Sequence, residues 1–96
     1  MALKIVWTSR AVEGYQQIIE YLQVHFTDKE IRKFIRQTNE FFELLKSYPE
    51  LLEKSDKQKN LFRGPINKFT IVTYRYRPNH NQIELINIRS SRQKPK

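Results

Sequence analysis

The sequence predicts an α+β fold, an antiparallel β-sheet with an N-terminal strand and a two-helix hairpin packed on one face, in the order β-α-α-β-β-β. Three observations predict it. A short β-prone run opens the chain, apolar residues then recur at three- and four-residue intervals as far as Tyr48, and three β-prone runs separated by turn residues close it. At 96 residues the chain encloses one modest core, so residues 1–96 are expected to form a single domain.

In the first run, Leu3, Ile5 and Trp7 alternate with Lys4 and Val6, the pattern of a strand with one or both faces covered. Thr8 or Ser9 can cap the helix that follows, and Glu13 is placed in its first turn, where a negative charge complements exposed amides. Val12, Tyr15, Ile18, Ile19, Leu22 and Phe26 then line one side of that helix. A second helix starts at a capping box, Thr27-Asp28-Lys29-Glu30, with Phe26 and Ile31 at the staple positions. Its stripe runs through Ile31, Phe34, Ile35, Phe41, Phe42, Leu45 and Tyr48 to Pro49, where a helix stops. With almost no linker between them, the two helices should form an antiparallel hairpin.

The polar stretch from Glu53 to Lys59 has no apolar period and reads as a surface loop. After it come β-prone runs at Leu61 to Arg63, Phe69 to Arg77 and Ile83 to Ile88, separated by Gly64-Pro65 and by Pro78-Asn79-His80-Asn81. If the last turn puts even-numbered residues on one face, Val72, Tyr74, Tyr76, Ile86 and Ile88 pack. Arg75, Arg77, Asn87 and Arg89 then form a basic face. The division is imperfect, since Phe69, Ile71, Ile83 and Leu85 fall on the basic side near its edges, and a single bulge would reverse the assignment.

Charge divides the chain in two. Residues 1–53 carry seven Lys/Arg against eight Asp/Glu, whereas residues 54–96 carry eleven Lys/Arg against Asp56 and Glu84. A positive field confined to one half attracts a polyanion, either a phosphate backbone or an acidic protein. There is no cysteine, hence no disulfide or thiolate metal site, which fits a reducing compartment. The opening apolar run is too short for a signal peptide, and no stretch reaches the roughly 20 apolar residues of a membrane span. The expectation is a cytoplasmic protein with no membrane contact, no cofactor and no metal. His25 reads as a helix-end residue and His80 as part of an ordinary polar turn.

Several segments, taken in order, resemble the RelE/ParE superfamily of toxins. Ile5-Val6-Trp7-Thr8-Ser9-Arg10-Ala11 is similar to the family's opening strand and helix start, and Leu45-Lys46-Ser47-Tyr48-Pro49 to the close of its second helix. Arg63-Gly64-Pro65 with Phe69-Thr70-Ile71-Val72-Thr73-Tyr74-Arg75-Tyr76 resembles the strand pair before the last turn. Ile83 to Ile88 running into Ser91-Arg92-Gln93-Lys94-Pro95 resembles the final strand and the arginine after it. The resemblance implies the toxin of a type II toxin-antitoxin, or plasmid stabilisation, system. It implies growth inhibition, neutralisation by a cognate antitoxin and a possible hetero-oligomer of the two.

Two targets are known for such toxins: messenger RNA on the ribosome, cut by RelE-like members, and DNA gyrase, blocked by ParE-like members that are not nucleases. The residues expected to bind target or antitoxin are Arg63, Lys68, Arg75, Arg77, Arg89 and Arg92, and Arg92 is also the candidate catalytic residue should the chain be an endoribonuclease. A nuclease needs a base for the 2′-OH, a cation for the phosphate and an acid for the leaving oxygen. RelE-like nucleases carry an arginine where this chain has Phe69-Thr70-Ile71, and a tail tyrosine where this chain has none after Tyr76. The Arg-Gln-Lys-Pro tail is instead similar to that of ParE-like toxins, which places gyrase inhibition ahead of RNA cleavage. A further alternative is a non-toxic nucleic-acid-binding module in which Phe69, Tyr74 and Tyr76 stack on bases.

Overall fold

The opening run forms β1 (Lys4–Trp7), and in the computed structural model, which describes residues 3–91, it joins the far end of the chain. Helices α1 (Ser9–His25) and α2 (Asp28–Ser47) follow, then strands β2 (Glu53–Lys54), β3 (Leu61–Asn67), β4 (Thr70–Arg77) and β5 (Gln82–Ser90). They make a five-stranded sheet in the order β1-β5-β4-β3-β2. The β2-β3-β4-β5 meander is antiparallel, while β1 pairs with β5 in parallel, from Lys4 opposite Gln82 to Trp7 opposite Leu85. The α+β expectation holds, with one parallel pair at the edge. A parallel neighbour requires a crossover, and the helical hairpin supplies a first long excursion away from the sheet.

Both helix starts follow from their caps. The Thr8 hydroxyl oxygen accepts from the Ala11 amide at 3.2 Å and donates to the Leu85 carbonyl at 2.6 Å, so one side chain caps α1 and fastens it to β5. Glu13 falls beyond the first turn, where no acidic residue is found, because α1 begins at Ser9. For α2 the capping box is complete: Thr27 accepts from the Glu30 amide, and Glu30 accepts from the Thr27 amide at 3.1 Å.

The apolar stripes are narrower than their spacing suggests. On α1, Ala11, Ile18 and Leu22 are buried while Val12 is 43% exposed. On α2 Thr38 is buried, its hydroxyl donating to the Phe34 carbonyl at 2.9 Å, and Ile35 and Tyr48 are exposed. Thr38 lies seven residues after Ile31 and seven before Leu45, so the 3.6-residue period carries it into the contact face. Hydrogen-bonding its hydroxyl back to the helix makes its burial tolerable.

The sheet's covered face is settled by a bulge. Thr73 pairs with Asn87 but Tyr74 with Leu85, leaving Ile86 as an extra residue in β5. The alternation therefore changes phase there. Ile83 and Leu85 join Tyr74 and Tyr76, Ile88 joins Val72, and Ile86 leaves the packed set. Ile83, Leu85, Val72 and Tyr74 are all fully buried, and burial of each such side chain stabilises by roughly 1.5–3 kcal/mol. Tyr74 stacks on Phe62 at 5.2 Å, and its hydroxyl donates to the Pro49 carbonyl at 2.7 Å.

Two strand boundaries differ from expectation. Glu53 and Lys54, read as loop, pair with Arg63 and Phe62 as an edge strand. Two charged residues have no period to detect, and their charge is what a protected edge carries. Gly64-Pro65 does not end β3, which runs on to Asn67. β2 covers only Phe62 and Arg63, so Pro65 sits on an open edge, where a missing N–H breaks no second ladder.

Candidate anion-binding face

Residues that pair across strands share a face. Ile71, Thr73, Arg75 and Arg77 alternate with the buried side chains of β4, so they point away from the helices. Arg63 pairs with Thr73, Arg89 with Ile71, Glu84 with Arg75 and Gln82 with Arg77, which places Arg63, Arg75, Arg77 and Arg89 together on the open face. Lys4, opposite Gln82, joins them and was missed in the sequence because its partner strand lies at the other end of the chain.

The remaining expected residues are placed differently. Lys68 lies in the β3–β4 turn with its Nζ 5.1 Å from the Phe69 ring centroid, off the strand rows that carry the arginines. Arg92 lies outside the described residues, as does the Arg-Gln-Lys-Pro tail. His80 ends a short 3-10 turn, Pro78–His80, and is exposed.

Two carboxylates enter this face, Glu84 and, opposite Arg63, Glu53. Arg75 lies 3.9 Å from Glu84 and donates to the Gln58 side chain at 3.3 Å. Arg75 is thus held at the centre of the face, and Arg63, Arg77 and Arg89 form no ion pair among the described residues. Guanidinium groups offer forked donors to phosphate or carboxylate, and their planar fork loses less freedom per hydrogen bond formed than an ammonium does.

The tyrosines belong to the other face. Tyr74 is fully buried, and burial pushes its phenol up to about 12, with the Glu50 carboxylate adding to the effect. Burial also raises the Tyr15 phenol, which packs between Trp7 and Phe34. Base stacking on Tyr74, the expectation for a plain nucleic-acid-binding module, is excluded because that ring is already stacked on Phe62 beneath the helices. Phe69 is likewise engaged, by Phe26 at 5.6 Å and by Lys68. Among the described residues no helix is long and apolar enough to cross a membrane, and no cluster of His, Cys, Asp or Glu has a metal-binding arrangement.

A family model described as the ParE toxin of the type II toxin-antitoxin system parDE matches residues 5–95. The fold is similar to a chain of the toxin-antitoxin complex RelBE2 from Mycobacterium tuberculosis, with a TM-score of 0.63 at 13% identity over 94% of this chain and 99% of that one. It is also similar to a conserved hypothetical protein of Helicobacter pylori, with a TM-score of 0.55 at 16% identity over 93% and 94% of the two chains. No curated protein matches the sequence.

Proposed function

Because the chain belongs to the ParE toxin family of type II toxin-antitoxin systems, we propose that it arrests growth by binding DNA gyrase through its arginine-bearing open face and is neutralised by a cognate antitoxin. The observation that carries this reading is the common orientation of Arg63, Arg75, Arg77 and Arg89, set by the β3-β4-β5 register. Such a face binds an anionic or acidic surface by charge-assisted hydrogen bonds and accelerates the encounter. The buried phenols point away from it, and the Glu84 carboxylate is engaged by Arg75, which favours binding over bond cleavage. That a structural relative is part of a toxin-antitoxin complex supports an antitoxin partner.

A second reading, cleavage of messenger RNA on the ribosome, is favoured by one feature. Glu84 lies among arginines, where a carboxylate could take a 2′-OH proton while guanidinium groups hold the phosphate. A supercoiling assay with purified gyrase, run beside mapping of transcript 5′ ends after induction, separates the two. Gyrase inhibition that weakens in Arg63→Glu and Arg77→Glu supports the proposal. In-frame message cuts with supercoiling intact would replace it by the nuclease.

A further inference from the structure

Helix α2 carries a second ordered stripe, turned about 100° from the one it buries. Arg32 follows the buried Ile31, Ile35 follows Phe34, Asn39 follows Thr38 and Glu43 follows Phe42, while Arg36 and Glu40 fill the steps between. All six are exposed and together line a shallow groove of about 590 Å³. From Arg32 to Glu43 the helix rises about 16 Å.

Charge along this stripe is sorted by sign, basic at Arg32 and Arg36 and acidic at Glu40 and Glu43. Within one chain that order gains little. Arg32 and Arg36 are like charges four apart, and Arg36 precedes Glu40, the less favourable direction for a helical pair. The ends of α2 do follow the helix dipole, with Asp28 and Glu30 in the first turn and Lys46 in the last, so the inverted order belongs to the stripe alone. Arg32, Arg36 and Glu40 form no ion pair among the described residues, and Glu43, 2.8 Å from Lys46, keeps its side chain 72% exposed. A partner of one charge sign would match half of the stripe and be repelled by the other half. The surface that complements all of it is the same stripe reversed.

We propose that two copies of this chain associate through α2, antiparallel about a two-fold axis between Arg36 and Asn39. Arg32 then faces the partner's Glu43, Arg36 lies beside the partner's Glu40, and the two Ile35 side chains close the groove near the axis. The chain's net charge of +8 drives copies apart elsewhere, whereas this stripe is neutral. Exposed ion pairs add little energy, so the charges set the register while Ile35 and the arginine stems supply the buried apolar area. Standard interfaces use about 20–30 residues a side, so this narrow stripe makes a weak dimer that forms near roughly 100 μM. The open face lies across the sheet from α2 and stays uncovered, so the dimer presents two arginine faces and binds a target with two sites twice over. The assignment does not depend on the toxin reading above.

Sedimentation velocity of the full chain from about 10 μM to about 1 mM tests it. The sedimentation coefficient should rise with concentration from monomer towards dimer. Arg32→Glu with Arg36→Glu should weaken association about tenfold or more, and adding Glu40→Arg with Glu43→Arg should restore it, because the reversed stripe again complements itself. None of these four positions belongs to the capping box or the buried stripe, and circular dichroism checks the fold of each variant. The chain has no cysteine, so Asn39→Cys, close to the axis, should give a disulfide-linked dimer on air oxidation faster than Gln16→Cys on α1. A chain that stays monomeric at about 1 mM overturns the proposal. So does association that survives the two glutamates, that the fourfold variant fails to recover, or that cross-links equally at both cysteines.

Discussion

The hydroxyl of Tyr74 donates to the carbonyl of Pro49 at 2.7 Å, joining the central strand of the meander to the point where α2 ends, 25 residues earlier in the chain. Tyr74→Phe keeps the ring stacked on Phe62 and leaves that carbonyl without its donor. Urea denaturation should show a loss of about 1–3 kcal/mol.

The same residue sets an alkaline limit. Its folded pKa of about 12 exceeds the ordinary value of 10.0, so the fold favours the protonated phenol. The contribution is fully present below pH 10 and is lost as pH rises from 10 towards 12, because the unfolded chain ionises first. Urea midpoints measured across that window should fall in the wild type. They should fall less in Tyr74→Phe, which retains only the like-signed effect of Tyr15.

Gly14 packs against the Ile88 backbone so closely that a β-carbon would overlap the carbonyl oxygen. Gly-to-Ala inside a helix normally stabilises by about 1 kcal/mol. Here the obstacle is backbone, which cannot swing aside, so Gly14→Ala should lower the thermal midpoint, and a rise would show that α1 can slide off β5.

Thr70 is fully buried and its hydroxyl has no hydrogen-bond partner among the described residues. Thr70→Val keeps the shape and removes the orphan, so chemical denaturation should register a gain of roughly 1 kcal/mol. Thr70→Ser, which keeps the hydroxyl and loses the methyl, should go the other way.

Arg75 pairs with Glu84 on the open face that the proposed reading assigns to gyrase. Arg75→Ala should therefore impair gyrase inhibition more than Arg77→Ala, since it leaves a negative charge at the centre of the face. Adding Glu84→Gln should restore part of the loss, and the supercoiling assay on the four proteins forms a coupling cycle. All effects should shrink as salt is raised.

The helices were legible in the sequence because their information is local: the Thr27 to Glu30 capping box and the Pro49 stop need no partner. Pairing across the chain was not. Nothing near Lys4 indicates that β5 lies beside it in parallel, and nothing in Glu53-Lys54 indicates an edge strand, since two charged residues form no pattern. The Ile86 bulge is an intermediate case. Four apolar residues on the basic side, Phe69, Ile71, Ile83 and Leu85, left room for a bulge, but only the register with β4 locates the extra residue and shows that it moves Ile83 and Leu85 and not Ile71. For the site, Arg75, Arg77 and Arg89 of the last two strands could be read as one face, whereas the place of Arg63 beside them required the β3–β4 register.

The marriage of β1 to β5 makes order of synthesis matter. β5 lies between β1 and β4, so a ribosome must deliver nearly the whole described chain before the first strand finds any neighbour in the sheet. At about 5–20 residues per second this delays the arginine surface by several seconds. A product ending before β3 would carry a helical hairpin and an unmatched β1, with none of Arg63, Arg75, Arg77 and Arg89.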